Sequence, residues 1–129
     1  MDEQQYTELN KLLKATKALS KSVERVVMSG MAEEGTGKMV ARGYQSLHKK
    51  AAELMPDDYY ITEGLLLEMA PDIDNDALLS QVRIAASQLR IYLEETLRES
   101  RREFAFATGA GEEEITDWAA LDATSATKS

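Results

Sequence analysis

Cysteine is absent from this chain, and histidine and tryptophan occur once each, as His48 and Trp118. Without cysteine, these residues form no disulfide, thiol nucleophile, or cysteine-ligated zinc or iron–sulfur centre. A lone histidine rules out a multi-histidine metal cage and confines any imidazole general base to His48. Only two prolines and two phenylalanines are present. No apolar run approaches the roughly 18 residues that a membrane-crossing helix needs. The N-terminal MDEQQYTELNK is acidic and polar, unlike a secretory leader. The resulting expectation is a cytoplasmic protein with no membrane partner and no cofactor.

What is present is charge, unevenly placed. The 129 residues sum to −8, yet residues 11–50 hold nine Lys/Arg against three Glu, whereas residues 51–129 hold six against seventeen Asp/Glu. Such asymmetry speaks to partners rather than to fold. The length suits one domain able to bury a core without staples.

Apolar residues recur every three or four positions, the period of helices. A first helix is expected over 2–28, burying Tyr6, Leu9, Leu12, Leu13, Leu19, Val23, Val26 and Val27 and stopped by Ser29-Gly30. A second is expected over 36–55, with Thr36 as an N-cap residue, a seam of Val40, Tyr44, Leu47, Ala51 and Leu54, and Pro56 as terminator. The segment YYITEGLLLEMA predicts a short third helix over 58–70, capped by Asp57 or Asp58 and the most buried of all. A long fourth helix over 75–103 carries the stripe Leu78, Leu79, Val82, Ala85, Ala86, Leu89, Leu93 and Leu97, with Asp72, Asp74 and Asp76 crowding its positive end. Two long and two shorter helices joined by short loops predict an all-α four-helix bundle over 1–103. Residues 104–129 read as an acidic, partly flexible tail with a possible docking helix over 112–121.

The string EEGTGKMV (33–40) imitates the end of a phosphate-binding loop. The full motif needs a glycine where Ala32 stands, a hydroxyl where Met39 stands, and a strand upstream. A helix precedes it instead, and Glu33 and Glu34 repel phosphate, so the string reads as a connection between helices. DIDNDALLSQVR (72–83) spaces three aspartates like a calcium loop. It has Ala77 and Arg83 where the turn glycine and the bidentate glutamate belong, so capping explains it.

Arg42 and His48, in RGYQSLH, resemble the R-x(4–6)-H pair of the HEPN family of helical-bundle ribonucleases. That resemblance implies His48 as general acid or base and Arg42 as a phosphate ligand. Six residues of unbroken helix separate the two side chains by about 120°, which favours His48 as a structural residue beside Tyr44 and Ala51. EETLRE (94–99) with EITD (114–117) resembles the carboxylate pattern of the all-α MazG-type nucleotide pyrophosphohydrolases. The resemblance implies magnesium between Glu95, Glu99, Glu114 and Asp117; the same residues also read as solvated charge.

Two surfaces are more regular. Lys11, Lys14, Lys17, Lys21 and Arg25 occupy an arc of about 120° opposite the apolar face of the first helix, and Lys38, Arg42 and Lys49 line the outer side of the second. With no aromatic interleaved, this stripe suits phosphate-backbone contacts or an acidic protein surface. Ile84 and Ile91 lie seven apart on the back of the fourth helix. With Trp118 and Leu121 of the tail they form the candidate protein interface. The expected function is therefore a non-catalytic helical adaptor or subunit that binds a protein partner or itself. The alternatives are a nucleic-acid-backbone-binding accessory subunit, or a magnesium-dependent pyrophosphohydrolase-like or HEPN-like enzyme.

Overall fold

A computed structural model describes residues 1–30 and 32–108, and the fold is all-α. Three helices account for most of it: α1 (Glu3–Ser29), α2 (Thr36–Leu54) and α3 (Asn75–Thr108). Between α2 and α3 the described chain forms one short π-helical turn, Tyr60–Gly64.

The helix ends follow local chemistry. Asp2 caps α1 by accepting from the Gln5 amide at 2.7 Å, and Gly30 closes it at φ 65°, a left-handed conformation that only glycine adopts without strain. Gly35, at φ 90°, is the N-cap of α2 and offers no side-chain bond, so Thr36 is the first helical residue and not the cap expected of it. Asp74 starts α3 by accepting from the Ala77 amide with its side chain and from the Leu78 amide with its carbonyl.

Three cross-links fix the helix directions. Arg101 donates to Tyr6 Oη, Lys17 pairs with Glu94, and Arg83 donates to Glu24, so α1 and α3 run antiparallel. Gln5 Nε2 donates to the Leu54 carbonyl, which places the start of α1 beside the end of α2. Asn75 receives the Gly37 amide, which joins the starts of α2 and α3. Helices α2 and α3 therefore run parallel, and residues 55–74 must travel back along α2. They do so as a strap. His48 Nε2 bonds the Ile61 carbonyl at 2.7 Å, Tyr44 Oη donates to the Leu65 carbonyl at 2.5 Å, and Gln45 Nε2 donates to the Leu67 carbonyl at 3.2 Å.

The helix expected over 58–70 is shortened to the turn Tyr60–Gly64, and residues 66–70 beyond it are not helical. Side chains of α2 bond three of the segment's carbonyls, at Ile61, Leu65 and Leu67. It is also not the most buried element: Ile61 and Leu65 are buried, but Tyr59, Tyr60 and Leu66 are exposed. Asp58 does cap the turn, accepting from the Ile61 amide at 3.1 Å.

The core lies where α1, α2 and α3 meet. Tyr6, Leu9, Leu12, Leu13 and Val23 of α1 pack with Val40, Ala41, Tyr44 and Ala51 of α2. From α3 come Leu78, Leu79, Val82, Ala86, Leu89, Leu93 and Leu97. The long stripe of the last helix is thus buried nearly as its spacing predicts, with Ala85 at its edge. Helix α3 extends past the expected end at Glu103 to Thr108.

Candidate interaction surfaces

The GTGK string sits at a helix junction. The Gly37 amide, one of the orphan donors a phosphate would need at the start of α2, donates to Asn75 Oδ1 at 2.8 Å. A Cβ on Gly37 would stand 2.8 Å from that oxygen and 2.9 Å from the Asn75 carbonyl. Asn75 Nδ2 donates in turn to the Glu33 carbonyl at 3.4 Å. This glycine lets two helix starts approach closely.

Arg42 and His48 are not brought together. Arg42 is exposed, whereas His48 is 6 % exposed and stacked on Tyr44 with ring centroids 6.1 Å apart. A carbonyl only accepts, so His48 Nε2 carries the hydrogen it donates to Ile61. The imidazole ties the strap to α2. Burial pushes the Tyr44 hydroxyl far above its ordinary pKa, with a smaller contribution from Tyr60, and Tyr44 holds the next carbonyl along the strap.

Glu94 pairs with Lys17 at 3.6 Å and Glu95 with Arg98 at 2.7 Å. Among the described residues no three His, Asp or Glu side chains cluster as metal ligands. Glu114 and Asp117 lie outside the described residues, as do Trp118 and Leu121 of the expected interface. At the strap's base, Tyr92 Oη donates to Asp58 Oδ2 at 2.5 Å, and its ring packs on Tyr60 at 4.7 Å. The hydrogen bond to Asp58 is the main reason the Tyr92 hydroxyl is pushed up to about 12; burial adds to it.

Two surfaces remain. The first is the outer face of α3, where Ile84 and Ile91 are 59 % and 50 % exposed. Beside Ile84 lies a hollow of about 220 Å³ lined by Leu65, Leu66, Gln81, Ala85 and Gln88. Between Ala77 and Ile91, the positions within about 60° of Ile84 around the helix are Ala77, Ser80, Gln81, Ser87, Gln88 and Ile91, all uncharged; Glu95, Arg98 and Arg102 continue the same line beyond them. The exposure of Leu66 was missed from the sequence, because it arises from the strap.

The second surface is cationic. Lys11, Lys14, Lys17, Lys21 and Arg25 are exposed along α1, and Lys38, Arg42 and Lys49 along α2. Lys14, Lys17 and Lys21 line a groove of about 350 Å³ together with Ala18, Ser20 and Arg90 of α3. Arg90 completes the wall from the opposite helix and was not anticipated. Its place depends on the α1–α3 pairing.

No helix among the described residues is long and apolar enough to cross a membrane. The class these features define is an all-α bundle with two exposed isoleucines on an uncharged stretch of α3 and a cationic groove. No family model, curated protein or solved structure matches the chain.

Proposed function

We propose that this protein is a non-catalytic helical subunit that works by protein–protein association, and that α3 pairs with α3 of a second copy. The observation carrying this reading is the exposure of Ile84 and Ile91 on a face of α3 that is uncharged from Ala77 to Ile91. Two large aliphatic side chains in one register, about 10 Å apart along the helix, are a better contact line than scattered surface residues. Antiparallel pairing about a twofold axis between Ser87 and Gln88 sets Ile84 of one copy against Ile91 of the other. A twofold contact of this kind is self-complementary, and the neutral neighbours bring no like charges together. Leu66 widens the apolar strip.

The test is mass in solution. The unaltered protein should sediment as a dimer, and Ile84→Asp with Ile91→Asp should sediment as a monomer with unchanged helicity. A monomeric unaltered protein, or a double variant of undiminished mass, refutes the pairing.

A further inference from the structure

We infer that the groove between α1 and α3 is a track for the phosphates of a nucleic-acid strand, with Arg90 in its wall. This inference is independent of the self-pairing, which uses a different face of α3.

Buried hydrogen-bond donors are the first argument. Two buried side-chain nitrogens, Asn10 Nδ2 and Arg90 Nε, have no hydrogen-bond partner among the described residues. Both are donors, and leaving such a group unpaired costs about 1–3 kcal/mol. Arg90 belongs to the groove wall. Asn10 stands on the same line of α1 as Lys14, Lys17 and Lys21, because positions 10, 14, 17 and 21 fall within about 60° of one another on a helix. Antiparallel pairing brings the Asn10 level of α1 to the stretch of α3 between Glu94 and Arg101. Both unpartnered donors therefore lie along one seam, and since neither atom is open to solvent, the Arg90 side chain must turn toward the groove for a phosphate to reach its Nε.

Charge points the same way. Three lysines and Arg90 line the groove, and Lys17 also pairs with Glu94 at 3.6 Å. The line from Asn10 to Lys21 covers eleven residues of helix, about 16 Å. That length favours a strand with several phosphates over a single small anion. No aromatic side chain lines the groove, so the contacts fall on the backbone and read little sequence.

Fluorescence anisotropy of the full chain with a short labelled single-stranded oligonucleotide tests this. With four cations engaged, log Kd should change with log salt at a slope near 0.7 per cation, so affinity falls roughly 50-fold between about 50 and 200 mM salt. Arg90→Gln and Lys21→Gln should each weaken binding at low salt and reduce the slope by about 0.7. Lys49→Gln, exposed on α2 outside the groove, should change binding far less. Inorganic phosphate at matched ionic strength should not displace the strand. The inference is overturned by absence of binding at low salt, by Arg90→Gln and Lys21→Gln binding as the unaltered protein does, or by equal losses in Lys49→Gln. Displacement by phosphate would make a small anion the ligand, and binding only to a poly-glutamate peptide would make an acidic protein the partner; either overturns it too.

Discussion

Replacing Gly37 and Gly43, two glycines of the same helix, by alanine should move stability in opposite directions. Alanine is preferred over glycine inside a helix by about 1 kcal/mol. At Gly43 the added methyl meets Leu19 Cδ1 at 3.6 Å, ordinary contact distance, so Gly43→Ala should stabilise by about 0.5–1 kcal/mol. At Gly37 the same methyl would stand 2.8 Å from Asn75 Oδ1, 2.9 Å from the Asn75 carbonyl oxygen and 3.4 Å from Leu78 Cβ. The Asn75 side chain can turn away, at the loss of its bond to the Gly37 amide. The carbonyl belongs to the start of α3 and moves only if that helix shifts. Overpacking of this kind costs about 1–3 kcal/mol, which exceeds the propensity gain. Gly37→Ala should therefore lower stability by about 1–2 kcal/mol net, and the two variants should differ by about 1.5–3 kcal/mol in urea denaturation followed by circular dichroism. A Gly37→Ala protein as stable as Gly43→Ala would refute the claim that this glycine exists to let α2 and α3 meet.

The strap yields two more expectations. His48→Ala removes the donor to the buried Ile61 carbonyl and the ring against Tyr44, so it should cost about 2–4 kcal/mol in the same denaturation assay. A loss below about 0.5 kcal/mol would show that the imidazole does not hold the strap. The Tyr92 hydroxyl, raised from 10.0 to about 12 chiefly by its bond to Asp58, favours the folded state below pH 10, and that contribution disappears as pH rises from 10 to about 12. Tyr92→Phe should flatten the fall in stability over that window and remove one late-titrating tyrosine from the absorbance titration; an unchanged alkaline profile would refute the assignment.

How much of this was legible in the sequence differs by element. Helices α1 and α3 announce themselves, because Leu9, Leu12, Leu13 and Val23, or Leu78, Val82, Leu89, Leu93 and Leu97, repeat at helical spacing and are buried as that spacing requires. YYITEGLLLEMA misled because a short apolar run has no clear period. Its fate is decided by Tyr44, Gln45 and His48, which take its carbonyls from another helix. Such side-chain-to-backbone bonds are tertiary facts with no local signature. The parallel course of α2 and α3 is the deeper cause. A chain leaving α2 at one end must return to the other before α3 begins, and residues 55–74 make that return as one short π-helical turn and non-helical chain rather than as a regular helix.

The same distinction separates the two surfaces of α3. Ile84 and Ile91 were readable because they interrupt a polar face, a property of one helix alone. Arg90 was not, since a single arginine beside the apolar stripe looks like any other surface cation. Only the antiparallel pairing of α1 and α3, fixed by Arg101 with Tyr6 and by Lys17 with Glu94, sets it among Lys14, Lys17 and Lys21. Arg90 and Ile91 are adjacent and so lie about 100° apart around the helix. A second copy seated on the isoleucines therefore leaves the groove open. Pairing would then present two cationic grooves from one assembly, and a strand long enough to reach both would be held by two sites at once. Abolishing the pairing with Ile84→Asp and Ile91→Asp should accordingly weaken binding of a long strand more than of a short one, a difference that neither surface produces alone.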